Sequence, residues 1–348
     1  KFVLNANSII SLSNNDNGSS NTLFGDSCGD NIDSGSNFNV FIGKSVATGS
    51  TDDASDNVAI GYESMKAIIQ GDDNVALGMR TLLDLEDGSH NTAIGDSVLR
   101  ACVDASDNTA VGSAAMDATT TGNNNVAVGY QALLVDTTGA QNVAIGKGAL
   151  EANTTGGNTA VGGQALQANS PGEANVAVGQ AALIANTTGS TNLALGNNAA
   201  TANTTGTRNI AIGHAAYDAS DTENDNLAIG YQAMTTNTAG GTKNIAIGNY
   251  AGDAITSGDD NTLVGYYAGS AIAAGVANTF IGQEAGLTTA AGGSNTAVGN
   301  LALRLNATTD DNTAVGRSAL AANTADGNTG VGRSALTTNT TGTNNTAV

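Results

Sequence analysis

An asparagine that returns once in every seventeen or so residues constrains this chain more than any other feature. A motif Asn-(Thr/Val)-Ala-(Val/Ile)-Gly places its glycine at 25, 43, 61, 78, 95, 112, 129, 146, 162, 179, 196, 213, 230, 248, 265, 282, 299, 316 and 332. The steps are 16, 17 or 18 residues, mostly 17, and a twentieth unit opens at Asn345-Thr346-Ala347-Val348. With the glycine as position 0, asparagine holds position −4 in all twenty units, from Asn21 to Asn345. Repeats this short cannot bury an apolar side alone, and stacking on a neighbour buries it for them. The period therefore predicts an all-β parallel β-solenoid, or β-roll, of about twenty 17-residue coils over residues 21–348, with 1–20 as a cap or lead-in.

The rest of the coil follows from its columns. Position −1 is apolar throughout (Phe24, Ile60, Val128, Ile212), +3 is small (Ala132, Ala149, Ala165), and +4 is usually Leu or Met (Leu133, Leu150, Met234). A polar tip often reads Asn-Thr-Thr-Gly, as at Asn153–Gly156 and Asn186–Gly189. The Val, Ile and Thr content before the glycine favours a strand. The expected coil is a short strand, a two-residue turn, a second short strand and a polar loop. The stacked asparagine amides each donate and accept along the axis, which satisfies buried polar groups coil after coil. Asparagine also tolerates a left-handed corner, and the glycine marks either another corner or a close backbone approach.

Side chains alternate along a strand, so −3 and −1 share one face while Ala at −2 and Gly at 0 share the other. Both faces are apolar or small, as in strands covered on both sides. The expectation is that −1 fills the coil and that Ala127, Ala144, Ala177 and Ala211 lie open for another subunit. Where −2 is large, +4 shrinks: Leu23 with Gly29, Phe41 with Ala47, Leu263 with Gly269, Phe280 with Gly286. The two columns therefore share one packing layer of fixed volume. Ala246 with Gly252, small at both, breaks the pattern.

Composition narrows the function. A net charge of −20, with only 11 Lys plus Arg, repels phosphate and argues against nucleic acid. Forty-six glycines and no tryptophan suit thin layers rather than a thick core. No apolar run approaches a membrane span and no secretory signal is visible. The sequence starts without methionine and stops inside a motif, so it reads as a piece of a longer chain. Cys28 takes the small +3 place and Cys102 lies four coils on. Their axial gap of about 19 Å predicts two unpaired thiols.

The pattern Asn-x-Ala-(Ile/Val)-Gly-x-x-Ala, as in Asn57-Val58-Ala59-Ile60-Gly61 and Asn142–Ala149, resembles the head repeats of trimeric autotransporter adhesins. Runs such as Asn125–Leu133, and the opening Ala6–Asp16, look still more like repeats of phage and large-virus tail-fibre proteins. The resemblance covers essentially 21–348, with a longer coil than the adhesin repeat. It implies a trimeric, elongated, surface-exposed fibre.

Sharper chemistry finds little footing. His90 and His214 lie in loop and turn positions without a recurring acid or nucleophile beside them, so no catalytic residue is expected. Acidic tips at Asp52-Asp53, Asp72-Asp73, Asp259-Asp260 and Asp310-Asp311 would suit calcium. They are irregular, however, and read as solvated loops, with no metal or cofactor expected. The recurring glycines lack a lysine-serine signature for phosphate. Tyr62, Tyr130, Tyr231 and Tyr266 follow motif glycines and read as turn-edge residues rather than a carbohydrate-stacking stripe. Sequons stand at Asn153, Asn186, Asn203, Asn306 and Asn339. Thin threonine-rich solenoids can bind ice, but the threonines at −3 alternate irregularly and their column is expected to face a core. The function that fits best is the structural shaft of an extracellular, cell-surface or virion fibre or adhesin, self-associating as a homotrimer. It is not an enzyme, and a receptor or glycan is met by regions outside this sequence. The alternatives are a lateral-surface adhesin and, behind it, an ice-binding solenoid.

Overall fold

The computed structural model describes residues 20–237 and 240–348, so most of the lead-in assigned to 1–20 lies outside the described residues. The chain is an all-β parallel β-solenoid that divides into two compact units, Lys1–Gly156 and Gly157–Val348. The first holds strands β1 (Thr22–Phe24) to β8 (Val143–Ile145), and the second holds β9 (Thr159–Val161) to β20 (Thr346–Ala347). Each motif contributes one strand over −3 to −1. Within each unit, consecutive strands pair in parallel and in register. Val126, Ala127 and Val128 thus stand opposite Val143, Ala144 and Ile145, and Ile210, Ala211 and Ile212 opposite Leu227, Ala228 and Ile229.

The two faces are the reverse of the sequence expectation. From β2 (Val40–Ile42) to β19 (Thr329–Val331), the middle residue is buried and both its neighbours are partly or fully exposed. Ala127, Ala144 and Ala177 are fully buried and Ala211 nearly so, while Val128 and Ile145 are 37% and 40% exposed. Val178 and Ile212, expected to be buried, are half-exposed. The cause is room. The inward columns are −4, −2, +3, +4 and +7, typified by Asn125, Ala127, Ala132, Leu133 and Asp136. With a leucine at +4 pointing in, the facing strand has space for alanine and not for paired valines and isoleucines.

Among the described residues the second strand is also absent, and a left-handed turn replaces it. Residues +2 and +4 have positive φ in coil after coil, as at Gln131 (57°) and Leu133 (52°), and so does −5, as at Asn124 (59°). A strand with period two cannot point two successive side chains inward. The left-handed step at +4 does, bringing both Ala132 and Leu133 into the core. Its backbone still bonds between coils: Leu133 N–H donates to Ala149 C=O at 3.0 Å and Val135 N–H to Glu151 C=O at 3.1 Å.

Both readings of the motif glycine hold. Gly129 has φ 141°, and a Cβ there would fall 2.6 Å from the Gly146 carbonyl oxygen. The shared packing layer holds too, since a Cβ on Gly286 would meet Phe280 at 2.2 Å and one on Gly269 would meet Leu263 at 2.7 Å. The exception at Ala246 and Gly252 has a neighbour to thank: Leu263 Cδ1 of the next coil lies 2.8 Å from where that Cβ would be. Volume is conserved across adjacent coils as well as within one.

These faces set opposite outcomes for two adjacent substitutions. Ala144→Asp buries an unpaired carboxylate and is expected to cost about 3–5 kcal/mol, whereas Ile145→Asp, on the face open within one chain, is expected to cost that chain's own fold about 1 kcal/mol or less. Thermal unfolding followed by circular dichroism ranks the two, and the opposite order would refute the burial assignment.

Candidate functional site

Any site on this chain is a surface carried by a rigid interior, and three axial ladders provide the rigidity. The first is the asparagine column at −4. Asn278 donates its backbone N–H to Asn261 Oδ1 at 3.0 Å, and its Nδ2 reaches the same oxygen at 3.1 Å and the Gly292 carbonyl at 2.8 Å. Each amide therefore ties its own coil to the one before and clamps strand to loop. None of these asparagines is left-handed; the residue before them, at −5, takes that conformation.

The second ladder runs along +7 and escaped the sequence reading. Asn186 Nδ2 donates to Asn169 Oδ1 at 2.7 Å and to Gly189 C=O at 2.9 Å, and Asn203 Nδ2 donates to Asn186 Oδ1 at 2.9 Å. The sequon asparagines Asn153, Asn186, Asn203 and Asn306 are fully buried in this column, and Asn339 is half-buried. A sequon normally marks an exposed acceptor, yet here the Asn-Thr-Thr tripeptide serves coil closure. Its signal was the constant offset of seven from the glycine. Where the column changes, the interior adjusts. Tyr217 at +4 is buried above a small Ser220 at +7, and its hydroxyl accepts from Asn226 Nδ2 at 2.7 Å.

The third ladder explains the acidic tips. Asp72, Asp259 and Asp310 sit at −6, each accepting from a backbone N–H of the preceding coil: Ser55 at 2.7 Å, Thr242 at 2.7 Å and Gly293 at 2.7 Å. Their followers Asp73, Asp260 and Asp311 take the left-handed −5 place. Asp33, Asp52 and Asp53 offer carboxylate oxygens within 4.8 Å of one another. One Asp33 oxygen already accepts from Gly35, Ser36 and Asp53, so that cluster closes a turn.

The residues weighed for catalysis do not converge. His90, in the first unit, lies exposed between Asp73 and Asp107, 3.5 and 3.7 Å away, in the −5 column. His214, in the second, is exposed at +1. Both cysteines are free thiols. Cys102 is buried at +7, and desolvation pushes its thiol up to about 12. Cys28 is half-buried, less enclosed than its +3 place suggested, and donates to the Phe41 carbonyl.

Two surfaces stand out among the described residues. One is the outward sheet face formed by −3 and −1. The other is an aromatic strip in the second unit, longer than the sequence suggested. His214 stacks on Tyr231 at 5.4 Å, Tyr231 meets Tyr250 edge to face at 5.4 Å, Tyr250 stacks on Tyr267 at 4.8 Å, and Tyr266 meets Tyr267 at 4.4 Å. Tyr231 and Tyr266 looked isolated because the tyrosines that join them sit at +2 rather than +1. Tyr130, in the first unit, stands apart with Lys147 Nζ 5.9 Å from its ring centre. Desolvation raises the Tyr250 and Tyr267 phenols. Beside them the half-buried Asp253 carboxyl is pushed up to about 6 by burial, and its Oδ1 has no hydrogen-bond partner. An open groove continues from the strip, lined by Tyr267, Ser270, Glu284, Leu287 and Arg304.

No family model matches the chain, and no curated protein matches it.

Asp136 offers a test of the +7 ladder. Its carboxylate is buried and accepts from Gly139 N–H at 2.7 Å and from Asn153 Nδ2 at 2.8 Å. Desolvation outweighs these bonds and raises its carboxyl above the ordinary 3.8. A raised folded value means that stability falls as pH rises from 3.8 through the folded value. Asp136→Asn is therefore expected to raise the melting temperature at pH 7, with the gain vanishing in acid. Melting curves from acid to neutral pH measure it, and a loss at pH 7 would show that the ladder needs the charge.

Proposed function

We propose that this chain is the shaft of an extracellular or virion-borne fibre or adhesin, assembled from parallel copies of itself and not an enzyme. The observation that carries this reading is the outward sheet face. Positions −3 and −1 hold no charged residue in any of the twenty strands, in a chain whose net charge is −20. In each unit they form an apolar lane of Val, Ile, Leu and Thr, with Leu77, Ile94, Leu195 and Ile210 between 37% and 45% exposed. Lanes of this kind on a soluble chain mark a binding surface. A second copy is the partner that suits it. It brings the same coil spacing, so pleats of two sheets can interdigitate along a whole unit at about 10 Å separation. Three copies are proposed, as in the adhesins and tail fibres whose repeats the sequence resembles.

Sedimentation velocity of the full chain tests this. The expected species is a trimer. Val178→Glu combined with Ile212→Glu is expected to shift it to monomer with an unchanged circular dichroism spectrum. A wild-type monomer at micromolar concentration, or an assembly indifferent to both charges, would sink the proposal.

One observation favours a second reading, ice binding. From β15 (Thr262–Val264) onward, position −3 is threonine in six successive coils: Thr262, Thr279, Thr296, Thr313, Thr329 and Thr346. This column faces out rather than into a core, and among the described residues none of the six hydroxyls bonds within the chain. In-register hydroxyls and methyls at about 4.8 Å can order a layer of water. Ice-recrystallisation inhibition, lost in Thr296→Tyr with Thr313→Tyr, is the outcome this reading expects. Its absence leaves the shaft reading alone.

A further inference from the structure

The aromatic strip and the groove at its end do not take part in the outward sheet face, and their chemistry is different. In the +2 column, Tyr250, Tyr267 and Glu284 follow one another in successive coils. Tyr250 covers one face of Tyr267 with nearly parallel planes, 6° apart. Tyr266 is in the same coil as Tyr267, and the two rings meet nearly perpendicular at 73°. Tyr267 also lines the open groove, together with Glu284 of the next coil.

The remaining groove residues supply what an aromatic wall lacks. Ser270, Leu287 and Arg304 occupy +5 in three successive coils, giving a hydroxyl, an apolar floor and a guanidinium. Arg304 Nε donates to Glu284 Oε2 at 2.8 Å, which holds both side chains at the rim while leaving them partly open, 41% and 23% exposed. A fork of donors beside a carboxylate acceptor matches vicinal hydroxyls, which donate and accept at adjacent atoms. A ring face beside them matches the C–H face of a pyranose.

We propose that the groove formed by Tyr267, Ser270, Glu284, Leu287 and Arg304 binds one ring of a neutral saccharide chain, with further rings lying along the tyrosine strip. Charge selects the neutral class. The chain carries −20, and the one guanidinium in the groove is already paired, so sulfated or carboxylated glycans are repelled. Length selects a chain rather than a single sugar. Strip and groove extend from the coil of His214 to that of Arg304, six coils separated by five steps of about 4.8 Å, or about 24 Å. The site lies within one chain, so it stands or falls independently of self-association.

Saturation-transfer NMR on the full chain, with cellohexaose, chitohexaose and mannohexaose as probes and a heparin-derived hexasaccharide as the anionic comparator, tests the site. At least one neutral probe is expected to bind at millimolar concentration or better, with transfer strongest on its ring C–H protons. Tyr267→Ala is expected to weaken that binding about tenfold. Glu284→Gln should weaken it too, because the carboxylate acceptor is lost while the shape is kept. Tyr130→Ala, in the other unit, should leave it unchanged. Circular dichroism checks that each variant keeps its coils, and the exposure of these side chains makes unfolding an unexpected result. No binding by any neutral probe, stronger binding of the heparin fragment, or binding indifferent to both Tyr267→Ala and Glu284→Gln would overturn the assignment.

Discussion

The side-chain amide at −4 is the interaction on which the rest of this structure depends. A coil of seventeen residues encloses too little volume for a conventional apolar core, and its interior is lined instead by Asn, Ala, Ala, Leu and a second polar column. Buried amides are costly unless every donor and acceptor is engaged. Here translation along the axis engages them, because the oxygen of one coil accepts from the backbone of the next. The same repeat that makes the interior thin makes its polar groups self-satisfying. Hydrophobic burial alone would give a weak roll; the ladders turn it into a stack of mutually bonded coils.

Much of this was legible in the residues. The invariant spacing of Asn and Gly carried the solenoid, the parallel register and the axial amide bonds. The exchange of volume between Leu23 and Gly29, or Phe280 and Gly286, correctly identified a shared layer. What misled was the assumption that valine and isoleucine seek the inside. In so thin a coil the decisive quantity is width, so alanine is buried and the β-branched residues serve the strand from outside. The second strand was misread for a related reason. Left-handed φ at Gln131 and Leu133 leaves no mark in residue type, since neither residue favours that conformation. Cross-coil hydrogen bonds and the inward packing of the coil impose it.

The surface was less legible than the interior. The tyrosines at +1 were visible as a set, but their continuity depends on Tyr250 and Tyr267 at a different offset in neighbouring coils. The sequons were visible as motifs, while their burial follows from an offset that only the shape of the coil explains. A residue's neighbours in a solenoid are seventeen positions away, so surface patches are scattered through the sequence and gathered by the fold.

Near-identical coils raise a problem that globular chains do not face: a coil could stack on the wrong neighbour and still satisfy its asparagines. The departures from the repeat remove that freedom. Leu263 fills the space at Gly252, and a slip of one coil would bring the larger Phe280 there instead. Buried Tyr217 needs the small Ser220 and an amide at Asn226. On the surface Arg208, Asp225, Lys243 and Asp260 alternate in sign along one column, with Arg208 and Asp225 paired at 2.6 Å, so a one-coil slip would set like charges together. The irregularities thus act as an address for each coil. They leave the native stacking order with fewer slipped competitors during folding than a perfect repeat would meet.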